Sequence, residues 1–124
     1  MKLKRLLCVA SLMLMMLLVG CGKKKLDVAA LEGDWQFVEM EAAGVVTPHT
    51  SGLESKEPAV KFDGESVDFT MSGNLRYGTV EAGEKDYKLT FDDGGRDMTA
   101  VLSEDGNTLT LKIDDVGIRI EFTK

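Results

Sequence analysis

From residue 34 onward, apolar and polar side chains alternate with a period of two, in segments of four to eight residues broken by Gly, Asp and Asn. Eight such segments predict strands at 34–41, 59–62, 65–71, 75–81, 86–91, 97–103, 108–114 and 118–123. Val67, Phe69 and Met71 share one face, as do Leu75, Tyr77 and Thr79; the same holds for Tyr87, Leu89 and Phe91, for Leu109, Leu111 and Ile113, and for Ile118, Ile120 and Phe122. One apolar and one polar face per strand describes an antiparallel sheet with a single dry side. Short strands, tight Gly- or Asn-containing turns and no helix to cover that side predict a sheet closed on itself. The expected fold is all-β, a small antiparallel up-and-down barrel of eight strands. In the first strand Trp35 and Phe37 share one parity while Val38 and Met40 take the other, so a β-bulge is expected near Phe37-Val38.

Three stretches depart from this rhythm. Residues 27–32 predict one or two helical turns with Asp27 near the cap, ended by Gly33. Residues 42–58 form a long connection carrying Gly44, Pro48, Gly52 and Pro58, with Val45-Val46 as its bulky apolar pair. A loop of this length reads either as a lid or binding element or as a solvated insertion. The third is residues 6–19, an uncharged Leu/Met-rich run behind the basic start Met1-Lys2-Leu3-Lys4-Arg5.

As a helix, the 14 residues of that run reach about 21 Å, short of the roughly 30 Å of a bilayer core. A basic start, an apolar stretch of this length and a small residue at its end have the anatomy of a secretory signal peptide. Leu18-Val19-Gly20-Cys21 resembles a bacterial lipobox, where signal peptidase II cuts before a lipid-modified cysteine. The resemblance implies a signal peptide over 1–20 and a diacylglyceryl thioether and an amino-terminal acyl group on Cys21; the residues that follow read as a tether over 21–26, lipidated cysteine included, and one domain over 27–124. Two or three buried acyl chains make such an anchor effectively permanent. The implied location is the extracytoplasmic face of the cell membrane, or the outer membrane if the host has two.

Loss of residues 1–20 removes Lys2, Lys4 and Arg5 but no acid, so the formal charge moves from −6 to −9. Such a surface repels phosphates and argues against a nucleic-acid partner. Lys23-Lys24-Lys25 is the local exception, suited to anionic head groups beside an anchor or simply to solvent. The chain's two cysteines are Cys8, in the signal, and Cys21, the lipid carrier, so the expected domain has neither disulfide nor thiol chemistry.

Leu31, Gly33 and Trp35, followed by a long first loop and a run of hairpins, resemble the opening of the lipocalin superfamily, whose first strand begins Gly-x-Trp. The chain is more closely similar to small bacterial lipoproteins with a lipocalin-like domain, which share the lipobox, the Leu-x-Gly-x-Trp opening and the length. In lipocalins a basic residue late in the chain packs across that tryptophan, and Arg119 is the matching position, giving Gly33, Trp35 and Arg119 structural roles. A full lipocalin carries longer strands and a C-terminal helix, whereas this chain ends in the eighth predicted strand. Eight strands enclose enough room for side chains or for one small ligand, and all eight aromatics of the chain lie in predicted strands. Trp35, Tyr77 and Tyr87 are the candidate pocket residues, since a buried phenol needs a partner and can hydrogen-bond a ligand.

Candidate chemistry beyond binding is sparse. His49 is the only histidine, and a triad with Ser51 or Ser55 would place every member on one loop with nothing to fix its geometry, so it reads as a solvated loop histidine. Asp92-Asp93 and Asp114-Asp115 lack calcium-loop spacing and sit in predicted turns. No enzyme activity, metal or cofactor is expected apart from the covalent lipid on Cys21. Two functions follow: a lipid-anchored lipocalin-like binding protein for a small apolar ligand, or surface accessory protein, with a site at the barrel mouth under residues 42–58; or a protein-interaction module, an envelope inhibitor or assembly factor, with a filled core.

Overall fold

The structure, a computed structural model, describes residues 25–124, so the expected signal peptide and Cys21 lie outside the described residues. Nine strands form one antiparallel sheet: β1 (Gln36–Ala42), β2 (Val45–Pro48), β3 (Ala59–Asp63), β4 (Ser66–Met71), β5 (Asn74–Ala82), β6 (Tyr87–Phe91), β7 (Met98–Leu102), β8 (Thr108–Ile113) and β9 (Ile118–Thr123). Their order is β2-β1-β9-β8-β7-β6-β5-β4-β3. From β3 to β9 the chain is an up-and-down meander, after which β1 pairs with β9 and carries β2 on its far side.

The expectation of eight strands in a closed barrel is corrected in two respects. A ninth strand, β2, lies inside the predicted loop 42–58, where Val45 and Val46 extend a hairpin turned at Ala43-Gly44. Among the described residues the end strands β2 and β3 do not pair, so the sheet curls into a half-barrel rather than closing through hydrogen bonds. The open side is a seam between the start of β1 and β3.

The interior follows the alternation in most strands. Val60 and Phe62, Val67 and Phe69, Tyr87, Leu89 and Phe91, Met98 and Ala100, Leu109, Leu111 and Ile113, and Ile120 and Phe122 all point inward and are buried. In β5 the period is right and the phase is reversed: Gly78 and Val80 are buried, while Leu75 and Tyr77 are exposed. Gly78 hides this phase, because its inward position has no room for a side chain. A Cβ there would collide with the Thr90 carbonyl and press on the Phe91 ring. In β1 the register with β9 shifts between Phe37 and Glu39, which is the expected bulge. It turns Phe37 and Met40 toward the core, opposite Phe122 and Ile120, but leaves Val38 outside that cluster.

The end of the half-barrel from which β1 rises is corked by the N-terminal segment. Leu26 N–H donates to the Gly83 carbonyl (2.7 Å), and Asp27 caps a single 3-10 turn, Val28–Leu31, by accepting from the Ala29 N–H (3.0 Å). Leu31 is fully buried, and the Glu32 carboxylate accepts the Gly64 N–H in the β3–β4 turn (3.0 Å). Leu89, Ala100, Leu109, Leu111, Ile120 and Phe122 expose nothing at all (0%). A void large enough for water would leave part of their surface accessible, so the space where these strands face one another is filled by side chains.

Candidate functional site at the open seam

The seam exists because β1 meets β2 only from Glu39 onward. Gln36 and Phe37 therefore have β9 on one side and no strand on the other, among the described residues. β3 likewise pairs with β4 alone. Residues 49–58 cross between them. The crossing starts at the bulge: Val38 is out of register with β9, and its carbonyl accepts the His49 N–H (2.8 Å).

Glu57, just before β3, draws the crossing segment back on itself. Its Oε1 accepts a hydrogen bond from His49 Nδ1 (2.7 Å), and its Oε2 accepts the Thr50 N–H (2.8 Å). Because a carboxylate only accepts, the proton lies on Nδ1, and the other ring nitrogen of the half-exposed His49 is left for solvent or a ligand. Between these points the chain makes one 3-10 turn, Glu54–Lys56. The Glu54 carboxyl is held below its ordinary range by hydrogen bonds from backbone N–H groups of Glu54 and Gly52, with the neighbouring His49 adding to the effect.

Beneath the crossing lies a cleft of ≈ 390 Å³ lined by Trp35, Gln36, Phe37, His49, Glu54, Glu57, Pro58 and Ala59. One side is open to solvent. Its lining joins apolar walls (Trp35, Phe37, Pro58) to two carboxylates and one imidazole. Among the described residues no three His, Cys, Asp or Glu side chains gather as a metal-binding group.

The residues singled out from the sequence fall in different places. Trp35 is buried, donates its Nε1–H to the Leu31 carbonyl (2.7 Å) and forms one wall of the cleft. Tyr87 is buried too, but its hydroxyl donates to the Asp27 carbonyl (2.8 Å), so the cork segment, not a ligand, is its partner. Burial pushes the Tyr87 phenol above its ordinary range, with the nearby Asp27 charge adding to the shift. Tyr77 is corrected to an outward position, 57% exposed and opposite Asp68, by the reversed phase of β5.

Arg119 does not pack on Trp35. The register pairs Gln36 with Thr123 and Glu41 with Arg119, which puts Trp35 beside the chain's last residue. Lys124 accordingly holds its Nζ 5.1 Å from the Trp35 ring centroid. Arg119 alternates with the buried Ile120 and points outward, 3.1 Å from Glu41, 3.8 Å from Glu121 and 3.9 Å from Glu39. Gly33 takes a φ of +133°, a region open to glycine, where a Cβ would press on the Lys124 side chain at 3.3 Å. Cys21 lies outside the described residues.

His49, Glu54, Glu57 and Pro58 carry the cleft and were not among the candidate binding residues. His49 and Glu57 are eight residues apart on an irregular segment. No helical or strand period relates them, so spacing holds no signal of their pairing. Compared with protein-family models, curated proteins and solved structures, the chain matches none.

Proposed function

We propose that this chain is a lipid-anchored extracytoplasmic lipoprotein whose lipocalin-like domain works through its outer surface, as a protein-interaction module of the envelope, rather than by enclosing an apolar ligand. The observation that carries this reading is the filled interior, whose inward side chains from β6 to β9 include six with no accessible surface. A ligand at the barrel centre would have to displace close-packed core side chains, each worth about 1.5–3 kcal/mol of burial.

Two further features agree with an outer working surface. Val45 and Val46 on β2 are 65% and 50% exposed, apolar side chains on an end strand where partners add readily. With lipid on Cys21, residues 22–25 reach at most about 14 Å. The corked end, where Leu26 binds Gly83, then faces the bilayer, and the β1–β2, β4–β5, β6–β7 and β8–β9 turns face away from it. The reading assigns no catalytic role and no cofactor beyond the lipid.

Thermal unfolding of the unlipidated domain beginning at Gly22, against a panel of fatty acids, phospholipids and small aromatics, tests the central claim. No ligand-dependent rise in Tm is expected, and a saturable rise with any apolar compound would overturn the outer-surface reading. The anchor is tested separately by labelled fatty-acid incorporation in cells, which Cys21→Ala is expected to abolish.

A further inference from the structure

We propose that the seam cleft is a binding site for an organic cation, a primary ammonium or guanidinium group carried on an apolar stem. The proposal deepens the outer-surface reading and rests on it only for what carries the cation, a partner's Lys or Arg side chain or a free amine.

The volume, ≈ 390 Å³, lies in the range of small-ligand sites, and the open side lets a stem enter without disturbing the core. Trp35, Phe37 and Pro58 give that stem apolar walls, and Glu54 and Glu57 stand at the polar side. Among the described residues no Lys or Arg lines the cleft, and the one imidazole there, His49, is bound to Glu57. Glu57 is largely covered and tied to His49 and the Thr50 N–H, whereas Glu54 is exposed and held only by backbone N–H groups of its own turn, so Glu54 is the carboxylate that an incoming charge can reach. Backbone N–H groups of Glu54 and Gly52 hold the Glu54 carboxyl below its ordinary range, which favours its charged form.

The indole supplies an independent sign of the same preference. Lys124 already places an ammonium over the Trp35 ring without itself lining the cleft. Aromatic faces attract cations through their quadrupole, most strongly at Trp. An anionic ligand would meet two carboxylates on a domain already rich in acids, and an uncharged apolar one would bury against them without compensation. The lining therefore selects charge as well as shape.

Trp35 is the chain's only tryptophan and forms one wall, so its fluorescence reports directly on the cleft. The test uses the lipidated protein in phosphatidylcholine vesicles, titrated with n-butylammonium and n-butylguanidinium. Butyrate and 1-butanol serve as anionic and uncharged controls. Both cations are expected to give a saturable change that weakens with added salt, and both controls none. Glu54→Gln is expected to weaken the cations by about fivefold, while Glu39→Gln, on the outer face beside Arg119, leaves them unchanged. Glu54 lies on an exposed turn, so the variant keeps the fold, which far-UV circular dichroism verifies.

The absence of a saturable change, an equal response to 1-butanol, or an unaltered affinity in Glu54→Gln would overturn the proposal. A lysine-containing peptide binding more than about tenfold tighter than n-butylammonium assigns the site to a partner's side chain, and equal affinity assigns it to a free amine. Uptake of apolar compounds in the thermal panel, with cation binding intact, would remove the outer-surface reading and leave the cleft. Failure of cation binding with a silent panel would do the reverse.

Discussion

The meander from β4 to β9 and the seam between β1 and β3 solve the same backbone problem by different means. In the meander every strand has a partner on both sides, and most of the inward side chains are buried. At the seam the ladder stops. Residues 49–58 satisfy part of their backbone through one bulge carbonyl, one 3-10 turn and the Glu57 carboxylate. Apolar packing holds the first region, and a few polar contacts at the surface hold the second. A surface ion pair contributes little to stability, so the seam can vary in composition and geometry without unfolding the sheet. Stability therefore resides in the meander, and the proposed cation site lies at the seam.

The largest expected effect tests the first half of that division. Leu111, on β8 between Ala100 and Ile120, is fully buried. Leu111→Ala is expected to cost about 2–5 kcal/mol through lost burial and the cavity left behind. Urea unfolding would show this as a lower midpoint at unchanged slope. A loss below about 1 kcal/mol would mean that the interior relaxes easily and is less tightly filled than its burial implies. Next comes Gly78→Ala. The added methyl is forced against the Thr90 carbonyl and the Phe91 ring, for an expected loss of about 1–3 kcal/mol in the same measurement.

Gly78 also explains where the sequence could and could not be read. The alternation in β4, β6, β8 and β9 exposes the inward face of each strand, because one parity is continuously apolar there. In β5 the inward parity runs Arg76, Gly78, Val80, Ala82, and the outward one holds Leu75 and Tyr77. Hydropathy alone then points to the wrong face. Arg76 sits at the inward parity because its guanidinium lies 4.1 Å from the Phe91 ring centroid and is paired to Asp93 at 2.7 Å. Neither contact has a local sequence signature. The bulge in β1 was readable, since a parity switch inside one strand has few other causes. The open seam was not: strand count and alternation look alike in closed and unclosed sheets, and the pairing that would close it depends on β2, four residues hidden among Pro and Gly. Trp35 reached the candidate site through its motif, and the rest of the cleft came from an irregular segment.

A third, smaller effect separates the cork from the core it covers. Tyr87→Phe removes the hydroxyl that binds the Asp27 carbonyl and is expected to cost about 1 kcal/mol. The effect has a pH signature. The folded phenol titrates above its ordinary value because it is buried, so its neutral form is favoured by folding. That contribution is complete below the unfolded value of about 10. It is lost as pH rises through the folded value, because the unfolded chain releases its proton first. Stability measured across about pH 8 to 11 should therefore fall less steeply in Tyr87→Phe than in the parent. An identical alkaline slope would show that the Tyr87 phenol is not held buried beneath the cork in solution.

The smallest expected effect concerns the seam itself, and it decides whether the two regions are energetically separate. Glu57→Ala removes both the His49 contact and the acceptor of the Thr50 N–H, yet leaves every strand pair in place. Its cost to global stability is expected to stay below about 1 kcal/mol, because His49 is half exposed and the Thr50 amide can turn to water once the clasp opens. The local response is expected to be larger than the global one. Hydrogen exchange at Thr50 should accelerate, while amides of β8 and β9 keep the protection set by global unfolding. If Glu57→Ala instead lowered the protection of β8 and β9 as Leu111→Ala does, the crossing segment would belong to the cooperative core. The seam would then be a wall of the barrel rather than a surface laid over its gap.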